Sequence, residues 1–113
     1  MNWLNAHEKY CGEWKNDLPD GYGEYFWYEN KVEFKIVKNI YKGFWKEGKR
    51  NGLGAFLYSN GCRFEGIFVN NSKEGTGILF DEYGYSKIEE YKQDKPVSIL
   101  KRSFKRLQKE ESE

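Results

Sequence analysis

Aromatic residues and glycine alternate along most of the chain, and polar stretches interrupt the alternation at regular places. In "YKGFW" (41–45) and "FEGIF" (64–68) the alternate positions are ring, glycine, ring. A period of two places them on one face of a strand. The glycine between two rings leaves space for another backbone or ring to approach closely. The runs "GLGAFLY" and "GTGILF" that follow are again extended and apolar. The polar segments "KNDLPDG", "KEGKRNG" and "VNNSKEG" are rich in turn formers. Each strand–turn–strand set predicts a β-hairpin.

The set repeats. Tyr41, Gly43, Trp45, Gly52, Gly54, Leu57 and Gly61 recur, all at one constant offset, as Phe64, Gly66, Phe68, Gly75, Gly77, Phe80 and Gly84. The first five of them have earlier counterparts, again at one constant offset, in Tyr10, Gly12, Trp14, Gly21 and Gly23. Nine of the 12 glycines fall on three register positions, so the spacing is structural and not an enrichment by chance. Between units, Asn60-Gly61 predicts a type I′ turn, whose two central residues both need positive φ. Tyr83-Gly84 holds the same register. The expected architecture is all-β: an elongated, twisted antiparallel meander of stacked hairpins in which each unit touches mainly its neighbours.

Two segments depart from the pattern. Residues 28–41, "YENKVEFKIVKNIY", are longer than the equivalent joint "YSNGCRF", and Val32, Phe34 and Ile36 alternate with charges. A hairpin projecting beyond the regular sheet is expected there. In "VSILKRSFKRLQK" (97–109), Val97, Leu100, Phe104 and Leu107 follow a helical stripe while Lys101, Arg102, Lys105, Arg106 and Lys109 lie off it. This predicts an amphipathic helix with Pro96 in its first turn and Asp94 or Ser98 as its cap. It would cover the last edge of the sheet. The same basic helix, through Lys101, Arg102, Phe104, Lys105 and Arg106, could instead seat on anionic lipid or in an acidic groove of a partner. The expected division is a lead-in at 1–9, repeats at 10–31, 41–63 and 64–86, a hairpin insertion at 32–40, a terminal strand or linker at 87–95 and the helix and tail at 96–113.

Aromatics make up 19 % of the residues, against 38 % for all hydrophobic residues, so rings must supply most of the buried area. Each buried ring removes roughly 150–250 Å² from water. Residues 1–91 hold 12 basic and 14 acidic side chains, whereas 92–113 hold seven basic and four acidic ones. No whole domain is basic, which argues against a nucleic-acid partner. Cys11 and Cys62 are too few for a structural zinc site or a disulfide framework and read as reduced thiols of a cytosolic protein. No apolar run approaches the roughly 20 residues that span a bilayer, and the first ten residues lack the apolar centre of a signal peptide.

Candidate chemistry is sparse. "GYGEYF" and "GLGAFL" begin like a dinucleotide loop, but Phe26 and Leu57 stand where the third glycine belongs and no helix follows. A Ser-His-Asp triad would need His7, the only histidine, which falls in an N-terminus expected to be poorly structured, and a three-histidine metal centre cannot be assembled. Glu89 and Glu90 point to opposite faces of a strand. No catalytic, cofactor-binding or metal-binding residue is expected. What remains is a ladder of Tyr10, Trp14, Tyr41, Trp45, Phe64 and Phe68 on one face, an anchor surface for an extended or helical polypeptide.

Residues 41–63, "YKGFWKEGKRNGLGAFLYSNGCR", resemble the MORN (membrane occupation and recognition nexus) repeat at nearly every defining position, and 10–31 and 64–86 resemble it with departures at Asp17, Pro19 and Asn71. The resemblance implies stacked hairpins and a non-enzymatic interaction scaffold. It also implies a component of a ciliary, axonemal or other cytoskeletal assembly, or a membrane-lipid module. A sheet edge offers a route to a homodimer. The starting Met and the degenerate tail favour a short complete protein over the end piece of a longer array.

Overall fold

The computed structural model describes residues 2–4, 7–30 and 35–103, with side chains described within 7–29 and 36–100. Its strands are β1 (Asn2–Leu4), β2 (Glu8–Lys15), β3 (Leu18–Asn30), β4 (Lys35–Lys46), β5 (Lys49–Leu57), β6 (Arg63–Val69), β7 (Ser72–Phe80), β8 (Ser86–Lys92) and β9 (Lys95–Ser103). They form a single antiparallel sheet in sequence order. The Cα radius of gyration is 16.1 Å and the extents are 51 × 36 × 24 Å. A compact chain of similar length would have a radius of about 13 Å. The sheet is therefore open and elongated.

Two kinds of turn alternate along the meander. The turns inside the polar segments hold two residues, both at positive φ: Asn16-Asp17 (52° and 65°), Glu47-Gly48 (50° and 83°), Asn70-Asn71 (48° and 76°) and Gln93-Asp94 (50° and 74°). These are the type I′ turns, whose twist matches that of the flanking strands. The expectation that Asn60-Gly61 would form one is corrected. Only Gly61 is at positive φ, at 94°. The Gly61 amide donates to the Tyr58 carbonyl, and the Tyr58 amide to that of Cys62. This is a three-residue loop, a type I turn closed by a left-handed glycine. Asn60 instead uses its side chain to accept the Cys62 amide. Asp81 to Tyr85 repeat the arrangement, with Gly84 at 97°.

The long joint is an extension of a hairpin. β3 and β4 stay paired out to Asn30↔Lys35, and Val32 and Phe34 lie outside the described residues.

The C-terminal helix is corrected over its first half. Lys95–Ser103 is a strand on the edge of β8. Residues 87–95 are accordingly part of a fourth hairpin, in which Gln93-Asp94 turn the chain as Asn70-Asn71 do in the unit before. Val97 and Ile99 fit a period of two as well as Val97 and Leu100 fit a helix. A strand pairs alternate backbone groups with β8 at once, whereas a helix of this length is marginal without a partner to pack against. Val97, Ile99 and Leu100 are exposed. Phe104, Lys105, Arg106 and the rest of the predicted helix lie outside the described residues.

Candidate partner-binding face

The two glycines of each G-x-G pair have different duties. The register slips between Gly12 and Trp14, and between Gly43 and Trp45, where three residues of one strand face one of the other. The first glycine absorbs the resulting bulge: Gly21, Gly52 and Gly75 have φ of 97°, 106° and 72°, a region where side chains are costly. The second lies under a ring. A Cβ on Gly54 would sit 2.3 Å from the Tyr41 hydroxyl, one on Gly23 2.1 Å from that of Tyr10, and one on Gly77 2.4 Å from Phe64 Cε1. Tyr10, Tyr41 and Phe64 thus lie flat on the backbone of the next strand.

Rings from the second aromatic position stand edge-on to these. Tyr10 meets Trp45 at 5.4 Å and 85°, Tyr41 meets Phe68 at 5.2 Å and 89°, and Phe64 meets Tyr91 at 5.1 Å and 80°. Edge-to-face pairs of this kind add about 0.5–1.5 kcal/mol each beyond their burial. Tyr10, Tyr41, Trp45, Phe64, Phe68 and Tyr91 form the core. The Tyr10 hydroxyl donates to the Glu13 carbonyl at 2.8 Å, that of Tyr41 to Phe44 at 3.0 Å, and Trp45 Nε1 to Gly23 at 3.1 Å. Burial pushes the Tyr10 and Tyr41 hydroxyls up to about 12. Tyr25 is also raised, by burial and by its hydrogen bond to Glu8.

The sequence-predicted ladder therefore exists as the buried spine. Five of its six members are 0–7 % exposed, and only Trp14 is half-buried. The accessible part of the same face belongs to rings that the prediction missed. Tyr25 packs on Trp27 at 4.6 Å, Trp27 on Phe56 at 5.5 Å, and Phe56 on Tyr58 at 4.9 Å, and all four are half-buried. The signal was present, because Tyr25 and Trp27 recur in the second unit as Phe56 and Tyr58.

Two cations complete the face. Arg50 Cζ lies 5.8, 5.7 and 5.6 Å from the ring centres of Tyr41, Phe56 and Phe68. Its Nε is buried without a hydrogen-bond partner, and burial lowers its pKa. Lys73, one unit on, has its Nζ 5.6, 4.6 and 5.3 Å from Tyr58, Phe64 and Tyr91. The units are also clasped through their turns. The amides of Gly48, Asn71 and Asp94 donate to the carbonyls of Pro19, Arg50 and Lys73 at 2.9, 2.9 and 3.0 Å.

The fourth unit breaks the ring-on-glycine rule. By register, Lys87 stands at the ring position and Glu89 at the glycine position. Glu89 is 4 % exposed. It accepts the Tyr91 hydroxyl at 2.6 Å and pairs with Lys87 at 3.4 Å. The carboxylate occupies space that a ring fills in the other units.

The opposite face carries an exposed apolar row of Tyr22, Phe44, Leu53 and Ile67 across four strands. Lys101 and Arg102 pair with Ile88 and Lys87 in β9. Among the described residues no group of three His, Cys, Asp or Glu could hold a metal, and no helix is long and apolar enough to cross a membrane.

Residues 10–31, 41–63 and 64–81 match the MORN repeat family. Alsin from human and from mouse are each 46 % identical over 79 residues, covering 70 % of this chain and 4 % of that protein. MORN repeat-containing protein 3 from Xenopus laevis is 34 % identical over 79 residues, covering 65 % of this chain and 30 % of its own length. The chain thus spans a small part of each of these relatives.

Proposed function

Since the chain belongs to the MORN repeat family, we propose that it is a non-enzymatic interaction module that docks a polypeptide segment along its ring face, as a component of a cytoskeletal or axonemal assembly. One observation carries the docking: Tyr25, Trp27, Phe56 and Tyr58 form a continuous half-buried stripe over a buried spine of rings. Rigid aromatic surface loses little conformational entropy on binding, and rings dominate interface energetics. The assembly rests on the family resemblance alone.

The test compares three chains in pull-downs from ciliated-cell lysate, followed by direct titration of the recovered partner. W27A, on the stripe, should weaken binding at least about tenfold, a typical cost for an interface ring. L53S, on the opposite face, should leave it unchanged. Binding lost with L53S and kept with W27A would sink the docking face. Recovery of no cytoskeletal or axonemal protein would sink the assembly. Flotation with anionic vesicles reads out the competing lipid assignment.

A further inference from the structure

The register pairs trace one row across the ring face. Tyr10, Tyr25, Tyr41, Phe56, Phe64 and Leu79 stand opposite one another in turn, from β2 to β7. On β8 the next place is Lys87, and on β9 it is Arg102. An apolar row thus ends in two basic positions. Lys73 joins them from the side, with its Nζ 4.6 Å from the ring centre of Phe64 and 5.3 Å from that of Tyr91. Lys73 and Lys87 are half-buried, so each keeps part of its surface in water.

Little negative charge meets them. Among the described residues Lys87 pairs with Glu89, and no ion pair reaches Lys73. Glu89 is itself buried and also accepts the Tyr91 hydroxyl. The third unit is acidic in sum, but its carboxylates are engaged elsewhere. Glu65 and Glu74 directly follow Phe64 and Lys73 in their strands and so take the opposite face. Glu65 pairs with Arg63, and Glu74 accepts the Gln93 amide. Asp81 accepts the amides of Tyr83 and Tyr85, and Glu82 stands in the loop beside Gly61. β9 holds no carboxylate. At the first-unit end the sign is reversed: Glu8 stands opposite Trp27 and accepts the Tyr25 hydroxyl. A polypeptide lying on the basic end removes water from two ammonium groups, which is costly unless it brings opposite charge. Complementary charge also fixes its register along the face.

We propose that the docked polypeptide carries an acidic segment, and that this segment seats over the third and fourth units. Its carboxylates meet Lys73 and Lys87, and its apolar side chains lie on the row that runs back through Leu79 to Phe56. The proposal rests on the docking reading above and adds to it a ligand chemistry and an orientation.

The test is a titration of the isotope-labelled whole chain with the peptide acetyl-Phe-Glu-Phe-Glu-Glu-amide, followed by the backbone amide resonances. Acetyl-Phe-Gln-Phe-Gln-Gln-amide, neutral and nearly the same shape, is the control. The Glu peptide should move signals of β7 and β8 saturably. It should bind at least about threefold more tightly than the Gln peptide, near the low end of what two partly exposed ion pairs supply. High salt should remove the difference, and K73Q should reduce it. Equal binding of the two peptides, no binding of either, shifts confined to the first unit, or an undiminished preference in folded K73Q would overturn the acidic segment. The comparison of peptides needs no variant and stands even if K73Q does not fold. Phosphatidylserine vesicles that float with the native chain and not with K73Q, beside a silent Glu-peptide titration, would assign the basic end to a lipid surface instead. A silent Glu-peptide titration together with W27A-sensitive partner binding would remove the acidic segment and leave the docking face. Glu-peptide binding on β7 and β8 with partner binding indifferent to W27A would do the reverse.

Discussion

Asp94 and Lys73 hold each other twice: the Asp94 amide donates to the Lys73 carbonyl at 3.0 Å, and Asp94 Oδ1 accepts the Lys73 amide at 2.8 Å. Asn71 and Arg50 repeat the exchange at 2.9 Å in both directions. Gly48 and Pro19 keep only half of it, because one lacks the side-chain acceptor and the other lacks the amide hydrogen. The side chain at the second turn position is therefore matched to the donor one unit earlier.

That matching sets an order of costs in urea denaturation. N71G removes the acceptor but suits the turn, and should cost about 0.5–1.5 kcal/mol. N71A also places a Cβ at φ 76° and should cost about 1 kcal/mol more. G48N adds an acceptor with no donor to meet and should stay within about 0.5 kcal/mol of the native chain. A G48N cost as large as that of N71A would refute the matching.

The glycine duties separate in the same assay. A Cβ at Gly54 would overlap Tyr41, with Cε1 at 2.6 Å, so G54A should cost about 2–3 kcal/mol. A Cβ at Gly75 would meet no atom within 4 Å, and G75A should cost only about 1 kcal/mol through its φ of 72°. Equal costs would show that the approach of Tyr41 to Gly54 adds nothing beyond the cost of a strained turn.

Lys87 and Glu89 should behave as one substitution. E89G alone leaves Lys87 unpaired above a void, and K87F alone drives a ring into the carboxylate. K87F together with E89G sets a ring beside a glycine on the same strand, as Phe64 lies beside Gly66. A double-mutant cycle should give a favourable coupling of at least about 1 kcal/mol. Additive effects would separate the two residues.

Alkaline titration follows from the spine. Tyrosine hydroxyls titrate near 10.0 in the unfolded chain, but those of Tyr10 and Tyr41 are pushed up to about 12 by burial. Above pH 10 the unfolded state releases protons that the fold retains. Stability is thus complete below pH 10 and falls as pH climbs towards 12. Tyrosinate absorbance should lag for Tyr10 and Tyr41 until the chain unfolds. Y41F should reduce the pH dependence of the denaturation midpoint. An unchanged dependence in Y41F would assign it elsewhere.

Most of the meander could be read from the sequence because glycine and ring positions recur at a fixed interval, and period two has a direct geometric meaning. The C-terminal unit was hidden for the same reason. Lys87, Glu89, Ser98 and Leu100 replace the first ring and the glycines at its defining positions, so only the second ring, Tyr91, repeats by residue type. Its continuity shows only in the turn conformation at Gln93-Asp94 and in the pairing of β9. The face was legible as a set of rings but not as exposed and buried rings. Tyr41 and Phe56 look equivalent on paper. Which of them reaches solvent depends on which ring lies flat on a neighbouring glycine.

The additional length of the first unit sits at the far end of the β3–β4 hairpin, away from the type I′ turns and the clasps between units. Growth at that end leaves the spacing of every clasp untouched. The array is therefore modular in one direction only: a unit can lengthen sideways without shifting its neighbours, while a single residue inserted beside Gly48 or Asn71 would put that turn out of step with the unit it clasps.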